Sequence, residues 1–392
     1  MNQQSDFKNA PSEENSAAIS PLAEGITDIV AENEHTVQKV GDAPVKKKNR
    51  KIKKILLWII IVFLVLILSG ILTVFILIQK GKSSLLGVDS MKIDPSGSVS
   101  EVEVDDDGKT VEFNGKKYVY NEDMTAILCI GVDKDKFSDT PDVQGKNGQA
   151  DALFLCAMDT KTGKTTLIPV SRDTMVDIDI YSGDGNYISS SRKQLCLSYA
   201  YGDGKHTSCE NTVRSVSRLF YGLPINSYVA IDLKAIEVLS EKVDGVTVIP
   251  DEDFSYLGYN YYKGVETNLK GTKARIFVQG RDQTKLDSNL NRMARQKQFV
   301  TAFFNEAIAK TREKITFPVD VYNSSKEYMI TDLDVAEISF LASCVLKNSI
   351  GLQYKSIKGN VVKGEKHAEY YADDESVYNT VIEVFYKPAS QE

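Results

Sequence analysis

The chain has 392 residues, with 47 Lys and Arg against 54 Asp and Glu, for a formal net charge of -7. That balance does not suggest a nucleic-acid binder, whose footprint is a basic excess. Five cysteines are too few for a disulfide scaffold, and His35, His206 and His367, the only histidines, leave little room for histidine-based catalysis.

Residues 1–45 are polar and acidic with little apolar periodicity and read as a disordered tail, extended to residue 54 by a basic cluster. The run from Ile55 to Ile78, ILLWIIIVFLVLILSGILTVFILI, carries no charge. A bilayer core of about 30 Å is crossed by roughly 20 apolar residues in a helix, so a transmembrane helix is predicted over 55–78. Lys46, Lys47, Lys48, Arg50, Lys51, Lys53 and Lys54 crowd its N-terminal side, whereas only Lys80 and Lys82 follow closely on the other. The positive-inside bias places the N-terminus in the cytoplasm and the main domain outside the cell membrane. The same cluster taken alone would read as a nucleic-acid patch; its position against a membrane span speaks against that.

Residues 79–123 are expected to form an extracellular stalk, Gly/Ser-containing from Gly81 to about Ser100, and then a hairpin at VEFNGKKYVY (111–120), marked by Asn-Gly between β-prone residues. Buried-strand patterns follow at TAILCIGV (125–132), ALFLCAMD (152–159) and KTTLIPVS (164–171). A helix is predicted around Glu210–Phe220, strands at 228–233 and 245–250 with a helix between them, and a strand-like run at RIFVQG (275–280). A strong helix from about Leu290 to Lys310 carries its apolar stripe on Val300, Phe303, Phe304, Ala307 and Ile308. Residues 124–312 are read as the main domain. Residues 313–392, with helices near Leu333–Lys347 and Glu375–Phe385, are read as an α/β extension packed on the same domain. Such alternation argues an α/β fold, a mixed central β-sheet flanked by helices.

Chemistry must then rest on carboxylates and arginines at loop positions. Asp133 directly follows one strand pattern and Asp151 directly precedes the next. Facing each other across neighbouring strands they would suit Mg²⁺, which takes oxygen ligands and keeps water for substrate phosphates; spacing alone favours two loop aspartates capping turns. Arg172, Arg281, Arg292 and Arg295 offer planar forks that match phosphate oxygens, and Gln296 shares a helix face with Arg292. Each arginine alone also reads as a solvated charge. Cys129 and Cys156 read as small core residues, and Cys196 and Cys209 are the two that an oxidising exterior would join.

Several segments resemble the LytR-CpsA-Psr family of membrane-anchored cell-wall ligases: AILCIGVD (126–133), SRDT (171–174), YGLPINSYVAIDL (221–233), VDGVTVIPDEDF (243–254), LKGTKARIFVQGRD (269–282) and NRMARQKQF (291–299), in the family's order. The resemblance implies a phosphotransferase that takes an anionic glycopolymer from a polyprenyl-pyrophosphate carrier and joins it to peptidoglycan through a phosphodiester. It implies a fold whose helices enclose a hydrophobic lipid tunnel. It also implies metal ligation by Asp133 and Asp151, with Mg²⁺ as cofactor, and a pyrophosphate site lined by Arg172, Arg281, Arg292, Gln296 and Arg295, with Gln279 beside them. The family's usual arginines stand here as Gln149 and Gln279, its proline before Arg172 as Ser171, and its aspartate before Arg292 as Asn289. A lysine and an asparagine near Tyr199 become Gln194 and Cys196. Two fewer positive charges leave a second reading open, a protein that binds polyprenyl phosphate lipids without turnover.

Overall fold

The computed structural model describes residues 48–86, 103–104, 109–137, 145–182, 184–281, 288–347, 351–365 and 367–389. Helix α1, Lys48–Leu86, contains the uncharged apolar run and is long and apolar enough to cross a membrane. Its side chains from Ile55 to Ile76 are exposed in the isolated chain, as a segment meant for lipid would be. Residues before 48 and the segment 87–102 lie outside the described residues, whereas residues 48–54 of the basic cluster, expected to extend the tail, form the first turns of α1.

The body is built on a six-stranded mixed sheet. Its strands are β1 (Met124–Val132), β2 (Ala150–Asp159), β3 (Thr165–Val170), β4 (Ser227–Ile231), β5 (Met329–Thr331) and β6 (Leu352–Tyr354), in the order β5-β4-β1-β2-β3-β6. Strands β1, β2 and β3 pair antiparallel, β4 joins β1 in parallel, and β6 joins β3 in parallel. Both faces of the central strands are covered, which is why they read as continuous apolar runs. Pro169 has no N–H to give, and it sits on β3 beyond the short stretch paired with β6, where none is needed.

Helices α2 (His206–Leu219), α3 (Leu233–Lys242), α4 (Thr272–Gln279), α5 (Ser288–Glu313), α6 (Val335–Val345) and α7 (Asp374–Phe385) complete the frame. Leu128, Ile130, Leu155 and Ile168 of the sheet pack with Val216 of α2 and Val381 and Phe385 of α7 in the main core. A second core joins Phe277 of α4 to Phe299 of α5, beside the strand pair Val246–Val248 and Thr267–Leu269. The Asn-Gly hairpin forms as expected between Thr110–Phe113 and Lys116–Tyr120, with Asn114 and Gly115 both at positive φ.

Two local expectations change. RIFVQG lies mostly in α4, a helix rather than a strand; a short run buried on most sides has no polar stripe to reveal its period. Gly81–Leu86 is the end of α1, not the start of a stalk. There the helix meets the N-terminus of α6, whose Asp334 and Glu337 form a capping box. Lys80 pairs with Asp334 at 3.3 Å, Ser84 Oγ donates to Glu337 at 2.5 Å, and Leu85 is buried beside Phe340 and Leu333. The approach is close enough that a Cβ on Gly81 would stand 2.2 Å from the Ala336 carbonyl oxygen, whereas one on Gly70 would meet nothing.

Gly81→Ala and Gly70→Ala should therefore differ in sign. Alanine favours a helix over glycine by up to about 1 kcal/mol, so Gly70→Ala leaves the melting temperature of the detergent-solubilised protein unchanged or raised. Gly81→Ala should lower it by several degrees, as overpacking of about 1–3 kcal/mol does. Equal effects from the two would refute the docking of the helix end.

Candidate functional site

The site lies at one rim of the sheet, where β1 ends and β2 begins. The ladder slips by a residue between Gly131 and Val132, and pairing continues beyond the strands through the Asp133 N–H to the Gln149 carbonyl at 3.1 Å. The Gln149 N–H in turn donates to Asp133 Oδ1 at 2.5 Å. Asp133 and Asp151 consequently line one cavity of about 70 Å³, together with Asp232, Gln279, Arg292 and Gln296.

Asp151 is the point where separate elements meet. Arg172, in the turn after β3, donates to its Oδ1, and Arg292, on the second turn of α5, donates to Oδ2 at 2.8 Å. Arg172 is also held by Gln149 Oε1 and by Cys196 Sγ, the latter at 3.1 Å. Arg281 is close enough to act electrostatically on both Arg292 and Asp173. Burial first, then the neighbouring charges of Arg172 and Arg281, pull Arg292 down to about 10, so it stays protonated at neutral pH. Three buried polar atoms here have no hydrogen-bond partner among the described residues: Arg172 Nε, Arg292 Nε and Gln296 Oε1. Unmet buried groups in a cluster of like-charged guanidiniums are what an absent anionic ligand would complete.

Helix α5 supplies this chemistry because one stripe changes character along its length. Asn289, Arg292 and Gln296 are buried at the rim, and Phe299 continues the stripe into the second core. Arg295 turns elsewhere: it donates to Glu252 at 2.6 Å and to the Phe277 and Gly280 carbonyls, and its guanidinium lies 3.9 Å from the Phe254 ring centre. It ties α4 to α5 and stands apart from the cavity. Gln279 faces the cavity while its Oε1 accepts from Arg275 at 3.3 Å, and Gln296 Nε2 donates to the Val278 carbonyl at 3.2 Å.

Several residues outside the expected set belong to the same arrangement. Asp232, at the end of β4, caps α3 through Ala235 at 2.8 Å and accepts from the Phe137 N–H at 3.3 Å, so it tethers the loop that carries Asp133. Burial pushes its carboxyl up to about 6 against those bonds. Its signal was an aspartate directly after a strand, the same signal that marked Asp133. Asp173 and Gln194, both part-buried, and the buried Asn289 form a network beside Arg172 and Arg292. Cys196 and Cys209 are free thiols.

A second cavity, of about 190 Å³, opens on the other side of Ser171 and Thr174, with apolar walls from Val170, Leu219, Leu290 and Ile357. Among the described residues no cluster of three or more His, Cys, Asp or Glu is placed to hold a metal. Asp133 and Asp151, the two carboxylates expected as ligands, line one cavity with Asp232, and Asp151 is held there by Arg172 and Arg292.

Residues 89–384 match the model of the LytR-CpsA-Psr family. The chain belongs to that family. A polyisoprenyl-teichoic acid–peptidoglycan teichoic acid transferase, TagU, of Enterococcus faecalis is 24% identical over 319 residues, covering 81% of this chain and 91% of the relative. The crystal structure of TagV from B. subtilis superposes with a TM-score of 0.52 at 22% identity, over 67% of this chain and 97% of that one. A Streptococcus agalactiae protein superposes at 0.56 with 16% identity, over 69% and 90%. These likenesses establish the fold shared with LytR-CpsA-Psr proteins, a mixed sheet covered by helices.

Removing the Arg292 guanidinium should be costly, because it strands half of Asp151 and the Asn289 carbonyl. Arg292→Met is expected to lower unfolding stability by about 3 kcal/mol, the range for breaking one partner of a buried pair. Urea denaturation measures it, and a loss below about 1 kcal/mol would show that the pair is not buried as described.

Proposed function

We propose that this protein is a membrane-anchored phosphotransferase that moves a glycopolymer from a polyprenyl-pyrophosphate carrier to a hydroxyl of peptidoglycan, forming a phosphodiester. The observation that carries the reading is Asp151 gripped by Arg172 and Arg292 while neither Nε makes a hydrogen bond among the described residues, that of Arg172 having only the Asp173 carboxylate at 3.5 Å. A carboxylate between two guanidiniums occupies the place a phosphate group would take, since both present paired oxygens to the same planar fork. The name of the E. faecalis relative supports a transfer of this class.

In this reading Arg172, Arg281 and Arg292 bind the two phosphates and hold the negative charge that grows on the leaving side. The acceptor oxygen attacks the phosphorus that carries the sugar. The bond from that phosphorus to the bridging oxygen breaks, polyprenyl phosphate leaves, and the hydroxyl proton passes to solvent. Asp133 and Asp151 would hold Mg²⁺, which supplies charge neutralisation at the pyrophosphate oxygens. As phosphate oxygens replace Asp151 on the arginines, its carboxylate becomes free for that task. Gln296 offers a buried amide oxygen that has no partner in the described structure. The apolar cavity beside Ser171 suits the isoprene units next to the pyrophosphate. An apolar cavity of about 150 Å³ holds one benzene, so the rest of a long prenyl chain must extend beyond it. The basic residues from Lys46 to Lys54, which run into the first turns of α1, support an N-terminus in the cytoplasm and a site on the outer face, where the acceptor would lie.

Full-length protein in vesicles containing a polyprenyl-pyrophosphate saccharide should, with Mg²⁺ and peptidoglycan fragments, yield joined product and free polyprenyl phosphate. Chelation with EDTA and Asp151→Ala should each reduce the rate by at least about a hundredfold. Retained lipid with no product from any donor would instead support a binding role, consistent with Gln149 and Gln279 where relatives of the resemblance carry arginine.

A further inference from the structure

Asp173 is a part-buried carboxylate to which three elements turn a polar group. Its Oδ2 accepts from Asn289 Nδ2 at 2.8 Å, and its Oδ1 accepts from Gln194 Nε2 at 3.3 Å and lies 3.5 Å from Arg172 Nε. Asn289 also accepts, through Oδ1, from Arg292 Nη2 at 2.9 Å. The orientation of that amide is fixed by its partners, because only its nitrogen can donate to a carboxylate and only its oxygen can accept from a guanidinium. Gln194 is fixed likewise, since its Nε2 also donates to the Ala368 carbonyl at 2.7 Å. Asn289 thus links the Asp173 carboxylate, which flanks Arg172, to Arg292 itself, and it is 5% exposed.

We propose that Asn289 is a positioning residue that holds Arg172 and Arg292 at a fixed spacing for adjacent phosphate groups, and that it works as an amide because an uncharged Gln194 serves the far side of Asp173. The inference rests on the phosphotransfer reading and adds the source of the arginine geometry. A carboxylate at position 289 would set two negative oxygens about 2.8 Å apart in a buried place, an arrangement in which one must take up a proton or move away. Moving away releases Arg292 or Asp173 from its present partner, and taking up a proton removes a negative charge that Arg172 or Arg292 would otherwise face. Arg172, Arg281 and Arg292 already face Asp173, and burial still raises its pKa, so no surplus positive charge is at hand to absorb another anion. Glu369 lines the small cavity on the remaining side and adds none. A lysine at 194 would supply the missing cation and return the site to its present net charge.

The test is a double-mutant cycle in the full-length protein, read by transfer rate and by melting temperature. Asn289→Asp is expected to lower transfer at least about tenfold and to lower the melting temperature. Adding Gln194→Lys should recover most of both. Asn289→Leu removes the same hydrogen bonds without adding charge, so Gln194→Lys should not rescue it. Wild-type transfer with Asn289→Asp at full rate would overturn this inference alone, even if the melting temperatures were coupled. So would a double variant no better than Asn289→Asp, or a Gln194→Lys rescue of Asn289→Leu equal to that of the aspartate. Absence of transfer by the wild type would overturn the phosphotransfer reading and this inference with it.

Discussion

The rim of the sheet is held by one carboxylate. Asp151 opens β2 and receives guanidiniums from residues 21 and 141 positions away in the chain. Charges taken out of water at this depth cost more than their attraction returns unless geometry is good and the remaining lone pairs are met. Asp151 answers the geometric part of that condition by accepting from two guanidiniums, and its own backbone carbonyl accepts from Arg292 Nη2 at 3.4 Å. The loop after β3, the first turns of α5 and the start of β2 are therefore set relative to each other by the same interaction that shapes the ligand site. An anion that displaces Asp151 inherits the frame as it stands.

On the proposed reading, the site would have to work with fewer cations than the resemblance leads one to expect. Gln149 adds no charge, yet its side-chain oxygen holds Arg172; Gln279 adds none, yet its oxygen holds Arg275 at the cavity wall. Each amide spends its acceptor on orienting an arginine. A guanidinium whose rotamers are already restricted loses less entropy on meeting phosphate than a free one does. Orientation in this way offsets part of what two lost charges remove. On the proposed reading, the Nε groups of Arg172 and Arg292, which make no hydrogen bond among the described residues, are where a phosphate would add contacts.

What the sequence reveals follows from how many faces of each element are buried. Strands β1 and β2 lie in the middle of a covered sheet, so their apolar runs have one reading, and Asp133 and Asp151 stand out as the first polar residues at their ends. Helix α4 defeats the same rule: Ala274, Ile276, Phe277 and Val278 are all buried, and eight residues hold too few turns for a period to show. Arg292 and Arg295 look alike as letters, but Arg295 is claimed by Phe254, Glu252 and two carbonyls contributed by distant segments. Asn289 and Gln194 carry no charge and no motif of their own; their part depends on Asp173 lying between them, which only the folded chain supplies.

The end of α1 belongs to the same logic of contacts that composition hides. Glycine, serine and lysine at 81–84 look like a spacer because each is common in loops. Here glycine admits the Ala336 backbone, serine reaches Glu337, and Lys80 reaches Asp334, so three residues that favour loops serve as a lock on a helix N-terminus. Ile78, the last residue of the uncharged run, stands two positions before Lys80. No slack chain separates the apolar segment from the folded body at that end. On the proposed reading a carrier whose prenyl chain exceeds a 190 Å³ cavity must leave most of that chain in an apolar medium, while the end of α1 meets the body beside Asn226 and Met158, at the rim of the sheet opposite Asp133.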